Sequence, residues 1–156
     1  MQSYGVPEDL DGLLPWSWAA ERLVANRNYW VTTVDPHGRP HSMPVWGAWH
    51  AESERFWFSC APDALKARNL ATNPHVVVAN TDTVEVVSLE GTAVVHPAEQ
   101  SIADSIGAKY ESPEQTAGAL AGFMMAQPMY QVTPTKAFGL IERAEEFGPH
   151  ATRWVW

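Results

Sequence analysis

The chain has 156 residues, 46% of them hydrophobic and 18% charged, with 10 Lys plus Arg against 18 Asp plus Glu and a net charge of -8. That length predicts one folded domain over residues 1–156, able to bury ~70% of its unfolded-state surface. The composition argues against disorder, and the acidic balance against a broad nucleic-acid or polyanion surface. Cys60 is the single cysteine, which argues against an internal disulfide and a cysteine-based zinc site and fits a reducing, cytoplasmic setting. No run approaches the ~20 apolar residues of a membrane span. The first residues lack the basic start and apolar run of a secretory signal. Eight tryptophans suggest a pocket for a planar ligand or an aromatic-rich interface.

Residues 1–15 read as an irregular arm. Pro15 then opens a helix to about residue 26, with Trp16, Ala20, Leu23 and Val24 on one face. From Tyr29 the period changes. Residues 29–34 are β-branched and aromatic, 35–38 form a turn in which Gly38 takes a positive φ, and 41–49 are the return strand of a hairpin. Pro44 inside that strand requires an edge, a bulge or a position where the ladder needs no N–H. Residues 55–60 are a third strand, and 63–72 a short helix with Asp63 at its start, ended by Asn73-Pro74.

Two further strands cover 75–80 and 84–96, and Gly91 in the second marks a bulge or a close backbone approach. Helices are expected over 98–111, with Ile102, Ile106 and Tyr110 in register, and over 113–126, with Ala117, Leu120, Ala121, Met124 and Met125 on its face. Residues 129–132 and 137–143 are late strands. Six to seven antiparallel strands with a few peripheral helices, mostly in hairpin order, predict a mainly β antiparallel barrel.

Metal binding finds no support in the sequence. His37 and His41 are four apart, but Gly38 and Pro40 between them rule out a shared helix face, and His50, His75, His96 and His150 have no paired spacing. Cys60 has no base that the sequence can place beside it. Nucleophile-elbow, P-loop and dinucleotide glycine motifs are all missing, so hydrolysis and phosphoryl transfer have no signature. The most informative stretch is 56–70, where a strand runs through a turn into a helix carrying Lys66 and Arg68. Free N–H groups at a helix start with two cations nearby can cradle a phosphate. On spacing alone an ordinary amphipathic helix, with both cations in water, is the better description.

The run Asp35-Pro36-His37-Gly38-Arg39-Pro40-His41-Ser42-Met43-Pro44-Val45-Trp46, followed by Phe58-Ser59 and Lys66-Ala67-Arg68-Asn69-Leu70, resembles the FMN-binding split-barrel superfamily. It is similar to the pyridoxamine 5'-phosphate oxidase-like proteins, and most of all to the small actinobacterial oxidoreductases of the B group, which use FMN or the deazaflavin coenzyme F420. Glu90-Gly91-Thr92-Ala93 and Ala151-Thr152-Arg153-Trp154 fit the same pattern. The likeness runs from about Trp16 to Trp156.

That resemblance implies a homodimer of split β-barrels with cofactor sites at the subunit interface. Met43, Pro44, Val45 and Trp46 would lie along the flavin or deazaflavin ring, with Phe58 beside them. Ser59 and Lys66, with Asn69 behind, match positions that hold the ribityl phosphate, and Arg68 is the candidate to substitute for a missing basic neighbour. Arg153 and Trp154 match the C-terminal segment that approaches the site. The chain departs from the pattern at Ala64 and Leu65, where relatives often carry a hydroxyl and a basic residue. It departs again at Leu140, where many carry Trp, and at Val155, where a basic residue is frequent.

The function implied is an oxidoreductase in which F420 or FMN passes a hydride to an unsaturated or conjugated small molecule. The cofactor carries the chemistry and the protein supplies orientation and water exclusion. No catalytic acid or base stands out; His41 and Tyr130 are available. The alternative is a non-catalytic flavin-, haem- or tetrapyrrole-binding protein on the same fold. Pyridoxamine 5'-phosphate oxidation ranks below both, because the substrate's own phosphate would need a second basic cluster.

Overall fold

The first strands are set by alternation. In β1 (Asn28–Val34), Tyr29, Val31 and Thr33 are buried while their neighbours are not, the period-2 pattern of a half-buried strand. The computed structural model describes residues 12–156, so residues 1–11 of the expected arm lie outside the described residues. β1 turns into β2 (Pro40–His50) through a hairpin that Asp35 ties together. Its Oδ1 accepts the His37 N–H at 2.8 Å and the Arg39 N–H at 3.0 Å, and its Oδ2 accepts Arg39 Nε at 2.9 Å. These bonds, the Arg39 backbone N–H foremost, hold the Asp35 carboxyl well below the usual carboxylate range. Gly38 takes the left-handed φ of +81° that the turn requires.

β3 (Arg55–Ser59), β4 (His75–Ala79), β5 (Glu85–His96), β6 (Met129–Ile141) and β7 (Thr152–Val155) complete one antiparallel sheet, in the order β3-β2-β1-β4-β5-β6-β7. A further pairing of β3 with β6 closes six strands into a barrel, with β7 added outside the ring on β6. Phe56, Phe58, Val78, Val87, Leu89 and Val132 fill the interior, and Ala19 and Leu23 of α1 (Trp16–Ala25) reach the same cluster. α2 (Leu65–Thr72) links β3 to β4. α3 (Gln100–Tyr110) and α4 (Ala117–Met125) lie between β5 and β6 and bury Ile102, Ile106, Leu120 and Met124 on Ala48, Trp57 and Met129. α5 (Phe147–His150) precedes β7.

Several expectations are corrected. Residues 129–132 and 137–143 are parts of one strand, β6, which runs unbroken to Ile141. Pro134 is tolerated because it faces Gly91, where the β5–β6 register shifts between Glu90 and Gly91. A Cβ on Gly91 would stand 2.2 Å from the Thr133 carbonyl oxygen, so the expected close approach is real. α1 turns Ala19 and Leu23 inward rather than Ala20 and Val24, and Val24 is exposed. α4 starts at Ala117, because Ser112 and Gln115 bond each other in a turn and Thr116 caps the helix by accepting the Ala119 N–H. α2 starts at Leu65 with Ala64, not Asp63, at its N-cap.

The tryptophans divide between packing and surface. Trp49, Trp154 and Trp156 each meet Trp16 edge to face, with ring centroids 4.7–5.7 Å apart. Trp57 sits beneath α3 and α4. Only Trp30, Trp46 and Trp156 are classed among the exposed large apolar side chains.

Candidate functional site

β2 changes partners along its length. Residues 40–46 pair with β1 on one side, while pairing with β3 on the other begins only at Gly47. The second edge of the stretch holding Met43, Pro44, Val45 and Trp46 therefore carries no strand among the described residues. Pro44 fits there because an edge position needs no N–H. Met43 is 58% exposed and Val45 is buried. Trp46 stacks on Tyr110, with centroids 4.6 Å apart and planes 15° from parallel. An open edge of backbone donors and acceptors flanked by apolar side chains can meet the polar rim and the face of a planar heterocycle.

The point where β2 acquires its second partner is clamped by the end of α3. The Tyr110 hydroxyl accepts the Gly47 N–H at 3.1 Å and donates to the Arg27 carbonyl. Lys109 Nζ donates to the Gly47 carbonyl at 3.1 Å and to the Tyr29 hydroxyl at 2.6 Å, and Tyr29 in turn donates to the Leu23 carbonyl. Both backbone groups of Gly47 are thus held by side chains from a helix more than sixty residues away. Burial, with the Arg27 charge adding to it, brings the Lys109 ammonium down to about 8. Sequence reasoning placed Tyr110 on the apolar face of its helix and missed Lys109; a lone lysine in a last helical turn carries no signal of its own.

β3 leaves the ladder at Ser59, and five residues separate it from α2. The first N–H of α2 to find a helical acceptor is that of Arg68, bonded to the Ala64 carbonyl at 3.1 Å. No side chain caps the helix at Ala64, so the N–H groups of Leu65, Lys66 and Ala67 precede the helical ladder, and the positive end of the helix dipole is open. Lys66 makes no ion pair among the described residues, and its charge is felt by Cys60, whose thiol burial pushes up. Leu65 is 43% exposed.

The other sequence candidates are distributed differently. The Ser59 hydroxyl donates to the Pro128 carbonyl at 3.1 Å, across the β3–β6 seam. Asn69 is 2% exposed, and its amide donates to Thr33 Oγ1 at 3.0 Å, fastening α2 to β1 opposite His41. Phe58 stacks on Tyr130 inside the barrel, with centroids 5.1 Å apart. Arg68 lies two residues, about 200° of helical rotation, from Lys66. It lines a cleft of about 630 Å³ with Tyr130, Pro128 and Val95, and Lys66 does not. Arg153 and Trp154 alternate on β7: Trp154 packs on Trp16 and over Gly139, while Arg153 is exposed and pairs in register with Phe138. Among the described residues no three His, Cys, Asp or Glu side chains converge as metal ligands.

A family model described as pyridoxamine 5'-phosphate oxidase matches residues 19–133. The chain belongs to that family. The pyridoxamine 5'-phosphate oxidase match spans β1 to β5, α3, α4 and the start of β6, and the fold is that of the FMN-binding split-barrel superfamily. Solved structures agree. A conserved hypothetical protein from Mycobacterium tuberculosis superposes with a TM-score of 0.73 at 20% identity, over 90% of this chain and 92% of that one. An F420 reductase gives 0.60 at 22% identity, over 75% and 94%. The heme storage protein of Vibrio cholerae gives 0.60 at 16% identity, over 74% and 87%. No curated protein matches the sequence. Likeness at these identities shows the fold, which serves oxidoreductases and haem binders alike.

Proposed function

We propose that this protein is an oxidoreductase that uses coenzyme F420 or FMN to pass a hydride to an unsaturated or conjugated small molecule, acting as a homodimer in the cytoplasm. The observations that carry this reading are the unpaired edge of β2 at residues 40–46 and an uncapped start of α2 that bears Lys66, without an ion-pair partner among the described residues. Those groups fit a flavin or deazaflavin. The β2 edge offers backbone bonds to the pyrimidine rim, Met43 offers apolar contact, and the N–H groups of Leu65, Lys66 and Ala67 with the Lys66 ammonium offer donors to a phosphate. Bound there, the cofactor supplies the hydride chemistry. The chain's own part is to bind and orient it: Tyr110 and Lys109 hold Gly47 fixed, Asn69 holds α2 against β1, and Phe58 braces the strand from within.

The homodimer is supported by exposed apolar side chains on the sheet, Trp30 of β1 opposite Pro44 of β2 and Phe138 of β6; apolar surface of this kind favours a covering partner. Arg153 lies on the Phe138 strand pair and would stand at that interface. A non-catalytic haem or tetrapyrrole carrier is the second reading, supported by the likeness to the heme storage protein. Titration of the purified protein with FMN, reduced F420 and haem, each with the Lys66→Ala variant beside it, separates the two. F420 or FMN binding that weakens about ten- to hundredfold in Lys66→Ala supports the oxidoreductase. Haem binding with no measurable affinity for either flavin would overturn it.

A further inference from the structure

Arg68 of α2 lines a cleft between that helix, the end of β5 and the start of β6. This cleft has a volume of about 630 Å³, within the ~300–1,000 Å³ range of small-molecule sites. Its walls are aliphatic and proline side chains, with Val94, Val95 and Pro128 among them, and Val95 is 67% exposed at the rim. Among the described residues Arg68 is the one charged side chain that lines it, no acidic side chain does, and Arg68 has no ion-pair partner, in a chain whose net charge is -8.

The other polar side chains of the cleft are Thr72, whose hydroxyl donates to the Asn69 carbonyl at 3.0 Å, and Tyr130, which is 4% exposed and stacked on Phe58. Burial raises its phenol above the ordinary range, so it keeps its proton at neutral pH. Neither residue is on β2, and Lys66 does not line the cleft.

We propose that this cleft is a second binding site, for an apolar carboxylate such as a medium-chain fatty acid. Its walls take the hydrocarbon and the Arg68 guanidinium takes the carboxylate. The charge pattern decides the class. A phosphate dianion calls for more than one cation. An amine would face an arginine with no acid to receive it. A single carboxylate matches one planar guanidinium, which can grip both of its oxygens.

Decanoate is the probe, and decyltrimethylammonium, with the same tail and the opposite charge, is its control; both are titrated calorimetrically into the whole protein below their micelle concentrations. Decanoate is expected to bind at least tenfold tighter than the cation, and Arg68→Gln to weaken decanoate at least tenfold. Val95→Asp, which places an anion on the wall at an exposed position and so spares the fold, is expected to do the same. Lys66→Ala, at a residue that does not line the cleft, should leave decanoate affinity within twofold, so failure of the cofactor reading and failure of this one are told apart. No heat from decanoate at millimolar concentration, or equal affinity in Arg68→Gln, overturns the proposal. So does a sedimentation result in which Val95→Asp splits an oligomer that decanoate cannot enter, since the cleft is then an interface between copies.

Discussion

Replacing Ala64 by serine should stabilise the protein and, at the same time, probe the phosphate cradle. Ala64 has φ -62° and ψ 147°, the extended backbone of an N-cap, and its methyl group offers nothing to the helix start. A serine hydroxyl at this place accepts the N–H of Lys66 or Ala67, satisfying one of the donors left open before the Arg68 bond. Exchanging alanine for serine at an N-cap is worth about 0.5–2 kcal/mol, typically near 1. For a domain of this size 1 kcal/mol corresponds to a rise of about 2–4 °C in Tm, or about 0.5 M in the urea midpoint at an m-value of roughly 2 kcal/mol/M. Ala64 is only partly buried against the core cluster, so the added oxygen does not have to enter it. The assay is urea unfolding followed by tryptophan fluorescence, with Ala64→Gly as the control, expected to gain less than serine because glycine brings no side-chain acceptor. An unchanged midpoint at unchanged m for Ala64→Ser would mean that the first-turn donors are already satisfied. The open helix start, and the anion-binding argument built on it, would then be wrong.

Three further outcomes follow from the packing. Lys109 titrates near 8 in the folded protein against an ordinary value of 10.5, so the folded state holds fewer protons than the unfolded one between those limits, and stability gains from this group as pH rises from 8 to 10. Urea midpoints at pH 7.5 and 9.5 should therefore rise more in the wild type than in Lys109→Met; equal pH dependence refutes the assignment. Gly91→Ala pushes a methyl into the Thr133 carbonyl at the bulge and should cost about 1–3 kcal/mol, measured as a lower urea midpoint. Tyr110→Phe strips the buried Gly47 N–H of its acceptor and should cost about 1–3 kcal/mol, with faster hydrogen exchange at Gly47 as its local sign.

Much of the barrel was legible because alternation in a half-buried strand survives in the sequence. The β1–β2 hairpin, β3, β4 and β5 lie where period-2 patterns and turn residues put them. β6 was not legible as one strand, since Pro134 is a strand breaker unless a bulge across the ladder receives it, and that bulge belongs to β5. The start of α2 was misread because Asp63 is a better capping residue than Ala64, yet the chain turns one residue later.

The candidate site was legible in outline, through the order of its motifs. What the sequence hid was the direction of its side chains. Lys66 and Arg68 look like one basic pair on paper, and about 200° of rotation around α2 separates them. Arg153 and Trp154 look like one contact, and a strand sends them to opposite faces. Ser59 and Asn69 spend their polar groups on Pro128 and Thr33, partners that no local spacing reveals.

The closing seam also sets an order of events as the chain emerges. β3 ends at Ser59, and its barrel partner begins at Met129, so the ring cannot shut until some seventy further residues have been made. Until then β3 presents a bare edge containing Phe56, Trp57 and Phe58, the kind of strand that recruits a neighbour during synthesis. Closure over so long a loop is slow compared with forming the hairpins. The α3–α4 hairpin is local in sequence and packs on Ala48 and Trp57, so it can settle over the outer surface of β2 and β3 before β6 arrives. In a growing chain, those two helices shield the half-built barrel from its own neighbours.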